Sequence, residues 1–292
     1  GKEMIKIDCP LCSGHSFQDR YHKDNMTVVE CNNCGLIFTN PQPGQRELFK
    51  HYNKNYYFCP NKDPKDNSRY FDYNTRYLKG NERQRFTGIF EKLAKFKPQG
   101  GRLLDVGTAS GFFIEEANKR GWQAEGVEVS KWAVEYGRKN LKVKIFQGEL
   151  SQAKFKSNTF EVVTFLDVLE HFQNPLAELK EASRILKKNG LIYIETINFD
   201  NFITHYLIGK KYKYMVPKFH LFYFGRRQLR QLLDKADFKI LNEQLTSSSV
   251  GDYEYEGLSM YWAYLKKIFT SFGQKETNFA FKDLIKIYGQ KD

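Results

Sequence analysis

Leu103-Leu104-Asp105-Val106-Gly107-Thr108-Ala109-Ser110-Gly111-Phe112-Phe113 reads as an apolar strand running into a glycine-containing turn, followed by a helix that begins near Phe112. Such a turn brings backbone N–H groups and a helix N-terminus close to a ligand. The glycines stand at 107 and 111 with Ala109 between them, which is not the G-x-G-x-x-G spacing of a dinucleotide site. Asp105 at the strand end is a further difference, since a carboxylate there repels a pyrophosphate and welcomes an ammonium group. Gly126-Val127-Glu128 places an acid at the end of the next strand, 21 residues beyond Gly107, where a ribose diol is held through both oxygens. The ligand these positions imply carries an amine and a ribose and no phosphate.

Outward from this stretch, short apolar runs alternate with helical spacing, the sequence form of a parallel sheet wrapped by helices. Strands are predicted at 103–106, 123–129, 142–147, 162–166 and 191–196. Between the last two, Asn174-Pro175 supplies an N-cap and a first-turn proline, Lys187-Lys188 suit the negative helix end, and Gly190 suits the C-cap. A helix over 229–236 leads to a strand over 238–245, residues 257–272 read as an apolar helix, and 284–288 read as a last strand. Upstream, Phe86, Ile89, Phe90, Leu93 and Phe96 fall at helical spacing before Lys97-Pro98. The expected organisation is therefore a cysteine module over 1–44, a helical bridge or lid over 45–98, and an α/β body over 99–292.

The module carries Cys9-Pro10-Leu11-Cys12 and Cys31-Asn32-Asn33-Cys34, two CxxC knuckles separated by 18 residues, which is four-thiolate zinc spacing. Gly35 eases the second tight turn, and a unit this small has too little core to be stable unaided, so the ion contributes folding free energy. Four protein ligands close the site, so the expected role of Cys9, Cys12, Cys31 and Cys34 is structural. Disulfides or unligated thiols are the alternatives. Cys59 falls outside the pattern and reads as an ordinary thiol.

A chain of 292 residues with 41% hydrophobic and 27% charged side chains and a mean hydropathy of −0.62 has the composition of a soluble globular protein of about two domains. No uncharged apolar run reaches a membrane span, and Gly1-Lys2-Glu3-Met4-Ile5-Lys6 lacks the apolar core of a signal peptide, so the expected compartment is the cytoplasm. The net charge of +12 attracts anionic partners without choosing among phosphorylated metabolites, nucleic acid and membrane surface. Residues 201–240 hold nine basic side chains and two acids, with Tyr206, Tyr212, Tyr214, Phe219, Phe222, Tyr223 and Phe224 interleaved. That composition suits a phosphate and a stacked base or sugar, or else a solvated basic face with aromatics turned inward. Tyr261, Trp262 and Tyr264 before Lys266-Lys267 suit core packing or a membrane surface.

Amine, ribose and no phosphate describe S-adenosylmethionine, and the sequence resembles the class I S-adenosylmethionine-dependent methyltransferases over about 80–290. The resemblance rests on LLDVGTASGFF at 103–113, GVEVS at 126–130, QGEL at 147–150, FEVVTFLDVLEHFQNP at 160–175 and HLFYFGRRQLRQLLDKADF at 220–238. With its cysteine module, the chain resembles zinc-ribbon methyltransferases of bacterial sugar, polysaccharide and secondary-metabolite pathways. The resemblance implies a Rossmann-like sheet of order 3-2-1-4-5-7-6 with the last strand antiparallel. It also implies that Gly107, Thr108, Ala109 and Gly111 line the methionine part near Asp105, Glu128 holds the ribose hydroxyls, and Val129 touches the adenine. Glu149 and Leu150 occupy the adenine-amino position, and Leu166 and Asp167 face the cofactor beside the transferred methyl. The family pattern has Gly where this chain has Ala109.

A hydroxyl or carbon acceptor needs a base, and histidine is the natural choice near neutral pH. Of His15, His22, His51, His171, His205 and His220, two stand out. His171 follows Glu170 in the family's acid–histidine pair at the pocket rim, and His220 opens a motif that overlooks the acceptor in related enzymes. The expectation is His220 as base, with His171 as the alternative. The expected substrate is a small polar or anionic molecule such as a nucleotide-linked sugar or glycan intermediate. RNA methylation and a catalytically inactive zinc-ribbon scaffold are the rival readings, and the oligomeric state is open.

Overall fold

The computed structural model describes residues 3–57, 73–78, 81–97, 99–200, 214–246 and 283–292. The N-terminal part contains β1 (Met4–Ile5), β2 (Phe17–Lys23), β3 (Met26–Cys31), β4 (Ile37–Thr39) and β5 (Gln42–Pro43). Four helices follow: α1 (Gln45–Phe49), α2 (Lys54–Tyr57), α3 (Tyr73–Leu78) and α4 (Asn81–Phe96). The body then alternates β6 (Arg102–Val106), α5 (Phe112–Lys119), β7 (Gln123–Glu128), α6 (Lys131–Tyr136), β8 (Lys144–Gln147), β9 (Phe160–Leu166), α7 (Pro175–Ile185) and β10 (Leu186–Ile197). It closes with β11 (Phe222–Tyr223), α8 (Arg226–Asp234), β12 (Phe238–Thr246) and β13 (Leu284–Lys291).

Seven strands form one sheet in the order β12-β13-β10-β9-β6-β7-β8. Numbered along the body, that is 3-2-1-4-5-7-6, and β13 runs antiparallel to both neighbours while β6 pairs parallel with β7 and β9. Helices cover both faces, which is why the central strands read as unbroken apolar runs: Leu103, Leu104, Val162 and Val163 are all fully buried. The stripe of α4 packs Phe86, Phe90 and Leu93 against Phe113 and Leu103 on one face.

Several boundaries differ from those expected. The helix begun by Asn174 ends at Ile185, and Lys187–Gly190 belong to the span of β10 instead of a helix end. Leu186 is extended and fully buried against Phe160, so burial draws the chain into the sheet before the lysines can cap anything. The strand expected from residue 142 starts at Lys144, because Lys142 takes a left-handed φ of 55° that closes the preceding turn. The helix expected over 229–236 spans Arg226–Asp234, and the last strand extends to Lys291. The aromatic helix expected at 257–272, Cys59, His205, Tyr206, Tyr212 and the lysines at 210, 211 and 213 lie outside the described residues.

The cysteine-bearing part forms a second sheet of order β11-β4-β3-β2. Its edge strand β11 comes from far along the chain, pairing Phe222 with Phe38 and Tyr223 with Ile37. Cys9, Cys31, Cys34, Leu36 and Phe38 share one hydrophobic core with Leu221, Phe222 and Phe224.

Candidate functional site

A cavity opens at the C-terminal ends of β6, β7 and β9, where ligands of open α/β sheets bind. Its floor is the turn after β6. Gly107 has a φ of 71°, and a Cβ there would stand 2.3 Å from Val168 Cγ2, so only glycine fits. Ala109 also takes a left-handed φ, 52°, and this aims its N–H at Glu128 Oε2, 2.9 Å away. Glu128 is 5% exposed, and its carboxylate accepts from Ser130 N at 2.8 Å and Tyr57 Oη at 3.2 Å as well. Three donors leave about one of its four lone-pair sites open. Burial raises the Glu128 pKa against those three donors. Asp105 is pushed up to about 7 by burial, opposed by hydrogen bonds from Thr164 (Oγ1 to Oδ1, 2.6 Å) and Thr108 and aided by nearby Glu128.

Asp105, Gly107, Thr108, Ala109, Glu128, Val129, Glu149, Leu150, Leu166, Asp167 and His171 all line this one cavity. Two expectations need correction. Gly111 does not line it: with a φ of 85° it starts α5, and its missing side chain makes room for Val143, whose Cγ2 a Cβ would meet at 2.7 Å. His220 does not line it either. It is 4% exposed and sits behind His171, ring centroids 4.8 Å apart and nearly perpendicular, with Nδ1 2.7 Å from Tyr214 O. The cavity face of this pair is His171. Its Nδ1 lies 3.0 Å from Phe219 O and 3.2 Å from Tyr52 Oη; a carbonyl only accepts, so the proton is assigned to Nδ1 and Nε2 keeps its lone pair. Burial pulls the His171 pKa down to about 4, and burial together with the facing His171 ring depresses His220 further.

Glu149 caps the turn of residues 150–153 and accepts from Gln45 Nε2 at 2.5 Å, so its carboxylate is partly engaged. Asp167, at a left-handed φ of 50°, is held by Arg85 Nη2 at 2.6 Å. Arg85 also pairs with Glu82 at 3.1 Å and with fully buried Glu195 at 3.2 Å. The sequence reading missed Arg85, Tyr52, Tyr57 and Asn74. For Glu82 and Arg85 a signal existed, since both continue the i, i+3, i+4 stripe of Phe86, Ile89 and Phe90, and charges on a buried face are there because they are paired.

The cavity suits S-adenosylmethionine on its own evidence. Ser110 Oγ and both amide atoms of Asn74 line it, buried, with no hydrogen-bond partner among the described residues, the state expected of groups that meet a ligand. The four cysteine sulfurs fit a metal equally well. Cys9 and Cys34 Sγ stand 3.4 Å apart, and Cys12 and Cys31 Sγ 3.5 Å apart, close to the roughly 3.8 Å edge of a tetrahedron with 2.3 Å Zn–S bonds and far beyond a disulfide.

Comparison with known proteins agrees. An S-adenosylmethionine-dependent methyltransferase from Archaeoglobus fulgidus superposes with a TM-score of 0.52 at 17% identity, covering 76% of this chain and 100% of that one. A Pyrococcus horikoshii protein gives 0.51 at 18%, covering 73% and 92%. Among curated sequences, the ubiquinone biosynthesis O-methyltransferase of Vibrio cholerae is 29% identical over 105 residues, 34% of this chain and 43% of that protein. That of Alkalilimnicola ehrlichii is 27% identical over 145 residues, 47% and 52%. The chain thus spans about half the length of the curated relatives it matches. Residues 78–243 match the profile of the methyltransferase domain, and with the strand order and the glycine turn already described, the chain belongs to the methyltransferase domain family in its S-adenosylmethionine-dependent, Rossmann-like form.

Proposed function

We propose that this protein transfers a methyl group from S-adenosylmethionine to a hydroxyl of a small molecule. The observation that carries the reading is that His171, a half-buried imidazole with its Nδ1 on the Phe219 carbonyl, opens into the same cavity as the Gly107 turn and Glu128. Glu128 would hold a ribose hydroxyl at its open site, the 107–110 turn and Asp105 the methionine end, and Glu149 and Leu150 the adenine. S-adenosylmethionine, when bound, supplies an electrophilic methyl. The chain's own work is to orient the acceptor, exclude water and take the hydroxyl proton on His171 Nε2, while the Nδ1–H stays on the Phe219 carbonyl. Here His171 takes the role expected of His220, and His220 packs against it.

The acceptor class follows from the lining. Six carboxylates (Glu82, Asp105, Glu128, Glu149, Asp167, Glu178) face the cavity, and its one cation among the described residues, Arg85, is already shared by three acids. That balance supports a neutral hydroxylated acceptor, whether a ring or a sugar, over a phosphorylated one. Phe49, Tyr52 and Tyr56 offer it an aromatic wall. The names of the curated relatives also favour oxygen as the acceptor atom. For RNA, two of the described basic side chains of the stretch, Arg226 and Arg230, are tied to Glu243, while Lys218, Arg227, Lys235 and Lys239 are exposed and keep RNA as the second reading. Cys9, Cys12, Cys31 and Cys34 would hold one structural zinc, and metal analysis of protein never exposed to chelator should return about one ion per chain.

Labelled methyl from S-adenosylmethionine, offered with hydroxylated aromatic rings, free sugars, nucleotide-linked sugars and RNA, should appear on oxygen in a small molecule that carries no phosphate. Label on RNA alone, or none while the cofactor binds, would overturn the reading.

A further inference from the structure

The geometry points to a coupling between the two halves of the molecule: we propose that the cysteine ribbon positions the His171–His220 wall of the cavity, with Thr39 as the positioning residue. This rests on the reading of that wall as the acceptor side.

Thr39 ends β4, five residues after Cys34, and is fully buried. Its backbone N–H donates to Leu221 O at 2.8 Å, and its hydroxyl reaches His220 O at 3.3 Å and Pro217 O at 3.4 Å. A single hydroxyl proton serves one carbonyl at a time, so Thr39 brackets the segment from both ends. Directly beyond, β4 pairs with β11 through Phe38 and Phe222. The clamped segment reaches the site by two routes. Leu221 N donates to Glu170 O at 2.8 Å, which ties it to the turn carrying His171, and Phe219 O fixes the His171 ring at Nδ1. On the other side, Cys34 O accepts from Gln228 Nε2 at 3.1 Å, which anchors a ligand-bearing knuckle to α8. The cofactor-holding residues of β6 and β7 share no hydrogen bond with Thr39 among those described. The hydrogen bonds of Thr39 therefore run to the acceptor wall, while the ribbon meets β6 and β7 only through the apolar core they share.

Imidazole NMR of His171 and His220, amide hydrogen exchange over 214–224, and calorimetry of S-adenosylmethionine binding test this without knowledge of the acceptor. Thr39→Val should keep its metal and bind the cofactor within about twofold, shift both imidazole signals, and speed exchange in 214–224 about tenfold, the size of one lost buried hydrogen bond. Thr39→Ser, which keeps the hydroxyl, should restore both. Chelating wild-type protein should reproduce the Thr39→Val pattern, and this arm stands if that variant fails to fold. Unmoved imidazole signals and exchange in either arm would overturn the proposal. Chelation that abolishes cofactor binding along with the imidazole shift would also overturn it, by showing a global instead of a local role. Failure of the base reading is separate: His171→Gln with wild-type methyl transfer would remove that role and leave the imidazole and exchange results intact.

Discussion

The four-cysteine cluster and the cofactor cavity are brought together by the chain in two different ways. The ribbon takes all four ligands from a 26-residue stretch, and its sulfurs converge because two knuckles of fixed spacing force them to. The cavity is non-local. Its glycine turn is one short motif, yet Tyr57 reaches Glu128 across 71 residues, Tyr52 reaches His171 across 119, and Arg85 reaches Asp167 across 82. A ligand set fixed by spacing is written in a motif, whereas one assembled from distant helices depends on the fold being right first.

The sharpest way to break that contrast is Arg85→Leu. Two buried carboxylates, Glu82 and Glu195, and half-buried Asp167 would lose their shared cation, and stability should fall by about 3–5 kcal/mol, while the metal content of the cysteine cluster should stay as in wild type. Denaturant unfolding and metal analysis check both halves, and a wild-type midpoint would show that the network is dispensable. Next in size is Glu128→Ala, which removes the acceptor for a ribose hydroxyl and for three protein donors. Cofactor affinity should drop about 100-fold or more by calorimetry, and an unchanged affinity would mean that the ribose sits elsewhere.

His171 sharpens the comparison through pH. An unfolded histidine takes its proton near 6.5 and the buried ring near 4, so the stability it contributes is complete above about 6.5 and is lost as pH falls through 4. By about 1.4 kcal/mol per unit the loss approaches 3 kcal/mol. Glu170 runs the other way: burial and nearby Asp167 push it up to about 8, so its contribution is present below about 4.5 and fades as pH rises through 8. Unfolding midpoints at pH 7 and 4 should converge in His171→Gln relative to wild type. The same low value predicts that His171 itself adds no inflection to methyl transfer between about pH 5.5 and 8, so a step near 7 would belong to Asp105. The smallest effect is Ala109→Gly, which relieves a left-handed alanine and should stabilise by about 1 kcal/mol with cofactor binding retained; a loss of stability would show that the alanine methyl packs.

Much of this was legible in sequence for a physical reason. Strand order follows from a resemblance carried by local motifs, and Asp105, Gly107, Glu128 and the four cysteines are placed by the chain immediately around them. His171 and His220 could not be ranked, because which ring meets the cavity depends on the turn at 217–221, itself clamped by Thr39 about 180 residues earlier. Arg85 looked like any helix arginine until its three acids arrived from β9, β10 and its own first turn. The lysines at 187 and 188 satisfied a capping rule, but the burial of Leu186 outweighed it.

The pairing of β4 with residues 222–223 also sets a timetable for synthesis. A ribosome releases both CxxC knuckles before the α/β body, so the four cysteines can come together while most of the body is still unmade. Until Phe222 and Tyr223 emerge, however, the outer edge of β4 offers unpaired N–H and C=O groups to any passing strand. The sheet of the body waits longer still, because β13 must slot between β10 and β12. Refolding of the full chain should accordingly be slow for its size and prone to edge-to-edge association, with long-range strand pairing as its last event.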